Sequence, residues 1–478
     1  MSATAVTTQT VTNERAGRLR WAVLAIVLVA EVMDLVDGTI VNVAAPSIRA
    51  DLGGGSATMQ WLVAAYTLSF AVLLITGARL GDLLGRRRLF VAGIVGFTTA
   101  SALCAAAPSA GFLVAMRAVQ GAFGALLIPQ GFGMIKEVFP EEELTKAFAA
   151  FGPVMGLSAV AAPVIGGALV DASLFGSGWR SIFLVNLPLG VAGLIGALRV
   201  MPRTAGTKGT RLDPGGAVIA TAAALALIYP LVEGRELGWP VWTFALLAAG
   251  VAGFGLFAAY ERRHRERALI APSLLRNRAF TSGIVVAVCF FSAMIGLNLV
   301  ISLFCQIGEH FSPLRTGLTL APFALGIALT APVSYPIAQR LGRVSIQGGF
   351  ALMAAGLALL ALMVHAAGSG VTTWTLVPGE LVGGMGMGLS LPPLFDFILV
   401  GVADHEVGSA SGVLNAIQQL GASLGIAVLA TVFFAYLDNP TPPFRAMAST
   451  TLVTLVPLAL AFLAAFRLPQ RARAESAT

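Results

Sequence analysis

The chain reads as an all-α integral membrane protein of fourteen spanning helices, two six-helix halves with a helix pair inserted between them. Composition, the spacing of apolar runs and the placement of Lys and Arg each lead there. Of 478 residues, 57% are hydrophobic and 11% charged, with mean hydropathy +0.86. That excludes a soluble globular protein. The net charge of +7 does not mark a nucleic-acid binder, because the basic residues form short clusters between apolar runs.

A span needs about 20 mainly apolar residues. Applied in order, that rule places spans at 21–44, 58–80, 89–107, 110–134, 147–171, 181–201, 214–233 and 240–260. Six more follow at 280–304, 315–338, 347–365, 372–400, 407–435 and 446–467. With the N-terminus inside, 24 of the 30 Lys and Arg fall on inner segments. The outer loops hold five, Arg49, Arg180, Arg235, Arg315 and Arg445, while Arg117 lies within a span. This bias predicts a multi-pass protein of the cell (inner, cytoplasmic) membrane with both termini cytoplasmic.

Arg79-Leu80-Gly81-Asp82-Leu83-Leu84-Gly85-Arg86 joins spans two and three, and Gln339-Arg340-Leu341-Gly342-Arg343 echoes it between spans ten and eleven. The echo falls at matching places in two six-span halves if spans seven and eight are an insertion. The expected divisions are a tail at 1–20, an N-terminal bundle at 21–201 and a linker with the inserted pair at 202–260. A loop and C-terminal bundle follow at 261–467, then a tail at 468–478. Residues 1–20 end in Arg15, Arg18 and Arg20, and no small-residue cleavage site closes the next segment, so the first span is expected to be retained. Three cysteines without C-x-x-C spacing (Cys104, Cys289, Cys305) and four scattered histidines (His264, His310, His365, His405) predict neither a disulfide framework nor a metal site.

Charge inside an apolar span is expensive, about 2.5–3.5 kcal/mol per ionised group on insertion scales. Glu31, Asp34 and Asp37 in the first span therefore indicate a face toward water, protons or a charged ligand. Spaced by three, they share one helix face over about 9 Å of rise. Like charges this close in low dielectric repel, which suits a group that exchanges a proton. Asp34, near mid-span, is the first choice for the proton or a cationic substrate. Arg117 cannot release its proton in practice and needs a buried partner.

Several motifs resemble one family. Asp37-Gly38-Thr39-Ile40-Val41-Asn42-Val43-Ala44-Ala45-Pro46 is similar to a first-span signature, and Gln60-Trp61 with Tyr66 to the start of the second span. The second-to-third loop resembles G-x-L-a-D-r-x-G-r-r, with Ala78 for the first glycine and Leu83 for the usual arginine. Arg117-Ala118-Val119-Gln120-Gly121 fits R-x-x-Q-G, and Ala162-Pro163-Val164-Ile165-Gly166-Gly167 resembles the antiporter motif G-P-x-x-G-G with alanine leading. Trp179-Arg180-Ser181-Ile182-Phe183-Leu184-Val185-Asn186-Leu187-Pro188-Leu189-Gly190 and Ser312-Pro313-Leu314, with Gly317 and Pro322, match the starts of spans six and ten. Together they resemble the major facilitator superfamily, in its fourteen-span drug:proton antiporters of the EmrB/QacA type, from about Trp21 to Phe466.

The resemblance implies a major facilitator fold in which the first and fourth spans line one cavity, so Asp34 or Asp37 is the expected partner of Arg117, with Gln120 as a relay. Substrate or proton on the aspartate would then loosen that pairing. It implies a conformational latch for the outward-open state at Asp82, Gly85, Arg86 and Arg87, and close packing at Pro163, Gly166 and Gly167. In the C-terminal half, Glu380, Asp396, Asn298, Asn415, Gln418 and Gln419 are cavity candidates. The glycines 379, 383, 384, 386 and 388 read as helix packing.

The implied function is proton-coupled export of lipophilic, cationic small molecules or drugs by alternating access. The proton gradient is the energy source, and no cofactor is expected. The alternatives are a specific metabolite exporter or importer of the same fold and, in a different class, a non-transporting membrane sensor or channel. Without a G-x-x-x-x-G-K-[ST] loop or a paired nucleophile, an ATP-driven pump or an enzyme is not expected. The expected partners are substrate, protons and lipid, with no nucleic acid, and the expected state is a monomer.

Overall fold

The computed structural model describes residues 3–173, 176–203, 206, 212–264, 269–403, 406–438 and 441–471. His405 lies outside the described residues. Fourteen long helices are present among the described residues. In the first half these are α1 Ala3–Leu52, α2 Ser56–Leu84, α3 Arg86–Ala105, α4 Ala110–Val138, α5 Phe151–Ala172 and α6 Asn186–Val200. The inserted pair is α7 Pro214–Glu233 and α8 Val241–Arg263. The second half holds α9 Arg278–Leu303, α10 Pro313–Leu341, α11 Arg343–Ala367, α12 Thr373–Ile398, α13 Val407–Asp438 and α14 Pro443–Ala465. Thirteen described helices are long and apolar enough to cross a membrane; α1, which carries the three acids, is the remaining one.

Short polar side chains start several of these helices, as capping requires. Ser109 accepts from the amide of Phe112 at 3.3 Å, Asp213 from Gly216 at 2.9 Å, Asn277 from Ala279 at 2.9 Å and Ser312 from Arg315 at 3.2 Å. Gly85 (φ 94°) and Gly342 (φ 61°) separate α2 from α3 and α10 from α11, in a backbone region that disfavours side chains. The likeness goes further than the glycines. Arg87 donates to the carbonyl of Leu198 at the end of α6 (2.6 Å), and Arg343 donates to that of Phe466 at the end of α14 (2.7 Å). Each arginine thus caps the last helix of its own half, where positive charge is favoured.

The two bundles meet along α2 against α13, α5 against α10, and α1 against α9. Among the described residues, the hydrogen bonds joining them lie from mid-depth toward the face opposite the arginine clusters. Thr67 and Ser423 pair at 2.6 Å near the middle. Ser302 donates to the Asn42 carbonyl at 2.8 Å and Gln306 to that of Val43 at 2.8 Å. Pro46 explains the first of these: it has no N–H to satisfy the Asn42 carbonyl four residues earlier, so the opposite bundle supplies the donor. At the α5–α10 seam, a Cβ on Gly167 would lie 2.6 Å from Leu314 Cα, and one on Gly317 would lie 2.7 Å from the Pro163 carbonyl carbon. The backbones touch there, and Asp171 accepts from the Leu314 amide at 3.0 Å. The molecule is closed on this face.

The inserted pair braces the closed face. α7 packs on both α2 and α13, while α8 packs mainly on α7 and leaves Val241, Phe244 and Val251 exposed. The Leu231 carbonyl accepts from Thr431 of α13 at 2.8 Å, and Glu233 accepts from the Trp61 indole of α2 at 2.7 Å. In the α7–α8 turn, Arg235 bonds both Ser56 and Asp438, one from each bundle. Glu236 accepts from the Ser56 hydroxyl at 2.7 Å and the Ala57 amide at 2.8 Å, capping α2 with negative charge. Partial burial works to raise the Glu236 carboxyl. The Ala57 amide, the Ser56 hydroxyl and Arg235 outweigh it and hold it below the ordinary value of 4.5.

A group lowered in this way stabilises the brace fully above its ordinary value and loses that contribution as pH falls below it. Glu236→Gln should remove the acid sensitivity. Arg235→Ala should raise the reactivity of a cysteine placed at Thr67 toward a polar maleimide in the purified protein. Unchanged labelling rates would show that the brace does not hold this face shut.

Candidate functional site

The site grows from the cost of burying a guanidinium. Arg117 on α4 is fully buried, and α1 and α2 approach α4 closely enough to surround it. Gly121 permits the approach: a Cβ there would sit 3.0 Å from Tyr66 Cα. Asp37 of α1, also fully buried, forms the ion pair with Arg117. Arg117 further donates to the Leu62 carbonyl at 3.0 Å and to Gln120 Oε1 at 2.7 Å. The same Gln120 turns its Nε2 to Asp37 at 2.8 Å, so one amide side chain bridges both charges.

A second amide completes the enclosure. Asn186 donates to Asp37 at 2.7 Å and lies 3.0 Å from the Ser101 hydroxyl, which donates to the Phe183 carbonyl at 2.8 Å. Five helices and the short segment Ser181–Leu184 therefore meet in one network around the Arg117–Asp37 pair. Of the two candidate partners of Arg117, the structure selects Asp37 and seals it from solvent.

Asp34, one turn earlier, has different surroundings. It is half-buried and accepts from the Tyr66 hydroxyl. Gly124 leaves it room, since a Cβ there would come 3.2 Å from Asp34 Oδ1. Tyr66 is the connecting element. Its hydroxyl holds Asp34 while its ring lies 4.3 Å from the Arg117 guanidinium carbon, a cation–π contact. Glu31 is buried, and its Oε1 has no hydrogen-bond partner among the described residues. The expectation that all three acids share an accessible face is thus corrected: only Asp34 is partly open. One turn of separation turns Asp37 into the seam with α4.

The remaining candidates divide by location. Arg86 pairs with Asp82 at 2.8 Å and with Glu137 of α4 at 2.8 Å. In this state Asp82 and Arg86 are satisfied within the first half, and Arg87 is the α6 cap described above. Gly166 and Gly167 bring α5 against α1 and α10, with a Gly166 Cβ meeting the Ile40 side chain. Glu380 is buried and Asn298 half-buried around one small cavity, whereas Asp396 is exposed near the C-terminal end of α12, toward the arginine-rich face. Asn415, Gln418 and Gln419 are half-buried on α13. Sequence reading gave no role to Tyr66, Ser101, Asn186 or Asn42. Their signal was polarity inside apolar segments and, for Tyr66, Asn186 and Asn42, a place in the family motifs quoted above.

Removing one charge of a buried pair costs about 3–5 kcal/mol, because the other is left uncompensated. Asp37→Asn should therefore lower the thermal unfolding temperature markedly. Asp34→Asn, whose amide oxygen can still accept from Tyr66, should stay within about 1 kcal/mol of the parent. Thermal unfolding of the purified variants in detergent decides, and equal losses would refute the distinction.

Comparison with known proteins fits this geometry. A family model for the Major Facilitator Superfamily matches residues 27–426. The chain is 48% identical over 427 residues to the "Probable actinorhodin transporter" of Streptomyces coelicolor, covering 88% of this chain and 73% of that one. It is 36% identical to the puromycin resistance protein pur8 of Streptomyces alboniger, covering 90% and 86% of the two chains. Against the tetracenomycin C resistance and export protein of Streptomyces glaucescens it is 31% identical, covering 88% and 77%. The fold also matches a crystal structure of tetrameric PepTSo2, with TM-score 0.64 at 16% identity, covering 94% of this chain and 97% of the other. The chain belongs to the Major Facilitator Superfamily and is a membrane transporter.

Proposed function

We propose that the protein exports lipophilic, cationic small molecules of the antibiotic class across the cell membrane in exchange for protons. The observation that carries this reading is the unequal pair of aspartates: Asp34 partly open and held by one hydroxyl, Asp37 sealed against Arg117. The resistance and export proteins among its relatives support the direction of transport. Pro163, Gly166 and Gly167 support it further, as the packing motif that the sequence shares with antiporters.

In this reading the arginine-rich face is cytoplasmic, and so are both termini. The conformation described, closed on the opposite face, is then the one that receives substrate from the cytoplasm. Asp34 exchanges a proton for the cation. The change of charge acts through Tyr66 on the guanidinium at the α1–α2–α4 junction and biases the rocking of one bundle against the other. Asp82 and Arg86, paired within their own half here, are released to latch the cytoplasmic side when it closes. Both bundles and the site lie in one chain, so a monomer suffices.

Inverted membrane vesicles test this. With an acidified lumen they should accumulate ethidium, and an ionophore that collapses the pH gradient should abolish the accumulation. Asp34→Asn should lose the gradient-driven component. Ethidium flux that ignores the gradient would refute proton coupling.

A further inference from the structure

The second bundle contains an acid that the mechanism above does not use. Glu380, 3% exposed, faces a cavity between α9, α10, α11 and α12 whose other walls include Met294, Leu297, Asn298, Phe323 and Leu360. No hydrogen bond or ion pair is made by Glu380 among the described residues. Among the described residues the titratable group that interacts with it electrostatically is the buried Cys305 thiol, in the short segment Phe304–Gly308 that follows α9; Glu309, just after that segment, and Arg315, in the first turn of α10, act on that thiol too. The walls supplied by α10 and α11 are apolar. A carboxylate so placed lacks any compensating charge, and burial in that form is costly.

The cavity offers ≈ 20 Å³ to water-sized spheres, the room of about one water molecule and far less than an organic cation needs. Its position matters as much as its size. Glu380 is seven residues from the start of α12, so it lies in the third of the bundle nearest the closed face. Asn298, on the same cavity, accepts from Asn42 of α1 at 3.4 Å. That contact crosses between the bundles and belongs to the same seam as the Ser302 bond to the Asn42 carbonyl. The acid therefore sits directly behind the closed seam.

We propose that Glu380 is a second proton-binding site, loaded with a proton from water on the far face when Asn42 and Asn298 part. This deepens the antiport reading and rests on it: Asp34 exchanges its proton from the arginine-rich side, Glu380 from the other. In the closed state Glu380 holds the proton as a neutral carboxyl beside one water. Opening of the α1–α9 seam hydrates it and lets the proton exchange.

Two measurements test the proposal. The first uses the intact purified chain and dicyclohexylcarbodiimide, an apolar reagent for protonated carboxyls, with modified peptides identified by mass spectrometry. Glu380 should be modified at acid pH, and several-fold less at alkaline pH. Absence of modification, or equal modification across the range, would overturn the proposal. The second uses proteoliposomes and ethidium. Glu380→Gln should lose accumulation driven by a pH gradient while retaining ethidium–ethidium exchange at equal pH, and wild-type accumulation by this variant would also overturn it. If the parent protein moves no ethidium, the exporter reading fails, and carbodiimide modification of Glu380 still decides the site.

Discussion

A permanently charged guanidinium with no access to water organises the first bundle. Arg117 cannot be neutralised by losing its proton, so the fold must bring a counter-charge, carbonyls and a ring face to it. Asp37, the Leu62 carbonyl, Gln120 and the Tyr66 ring do so from α1, α2 and α4. Asn186 and Ser101 then tie α3 and α6 to the same point. The arrangement is structural, yet one of its members, Tyr66, also touches the half-open Asp34. A charge change at Asp34 thus reaches the most constrained point of the bundle through a single side chain.

The contacts between bundles obey a different physics. Beside apolar packing, they are backbone approaches at Gly167 and Gly317, one carbonyl freed by Pro46, the Asp171 carboxylate on the Leu314 amide, and a few hydroxyls and amides. Such contacts are specific but weak one by one, as a seam that must open requires. The inserted pair adds its brace from outside the two bundles. Arg235 reaches Ser56 and Asp438 together only while α2 and α13 are close, which gives α7 and α8 a conformational task that no apolar pattern could announce.

Much of the architecture was legible because the bilayer imposes it. Apolar runs of the required length gave thirteen of the helices to within a few residues, whereas α1 runs well past 21–44 at both ends, and the Leu-Gly-Arg echo marked two glycines that the structure shows at positive φ. The family motifs pointed to α1 and α4 as neighbours. What could not be read was rotation: Asp34 and Asp37 lie one turn apart on one face, and only the packing of α4 decides which is sealed. The roles of Tyr66 and Asn186 were equally hidden, since a motif names them without saying what they touch, and Ser101 looks like an isolated polar residue until distant helices meet. For Arg87 the conformation described adds a local contact to the expected latch, the carbonyls at the end of α6.

The division of labour between the two aspartates is the claim on which the rest turns. Infrared difference spectra of the purified protein, recorded across a pH titration, observe protonated carboxyls directly. Asp34→Asn should delete one titrating carboxyl band, and Tyr66→Phe should displace it, because the hydroxyl bonded to Asp34 is gone. A band that persists unchanged in Asp34→Asn and disappears in Asp37→Asn would contradict the account.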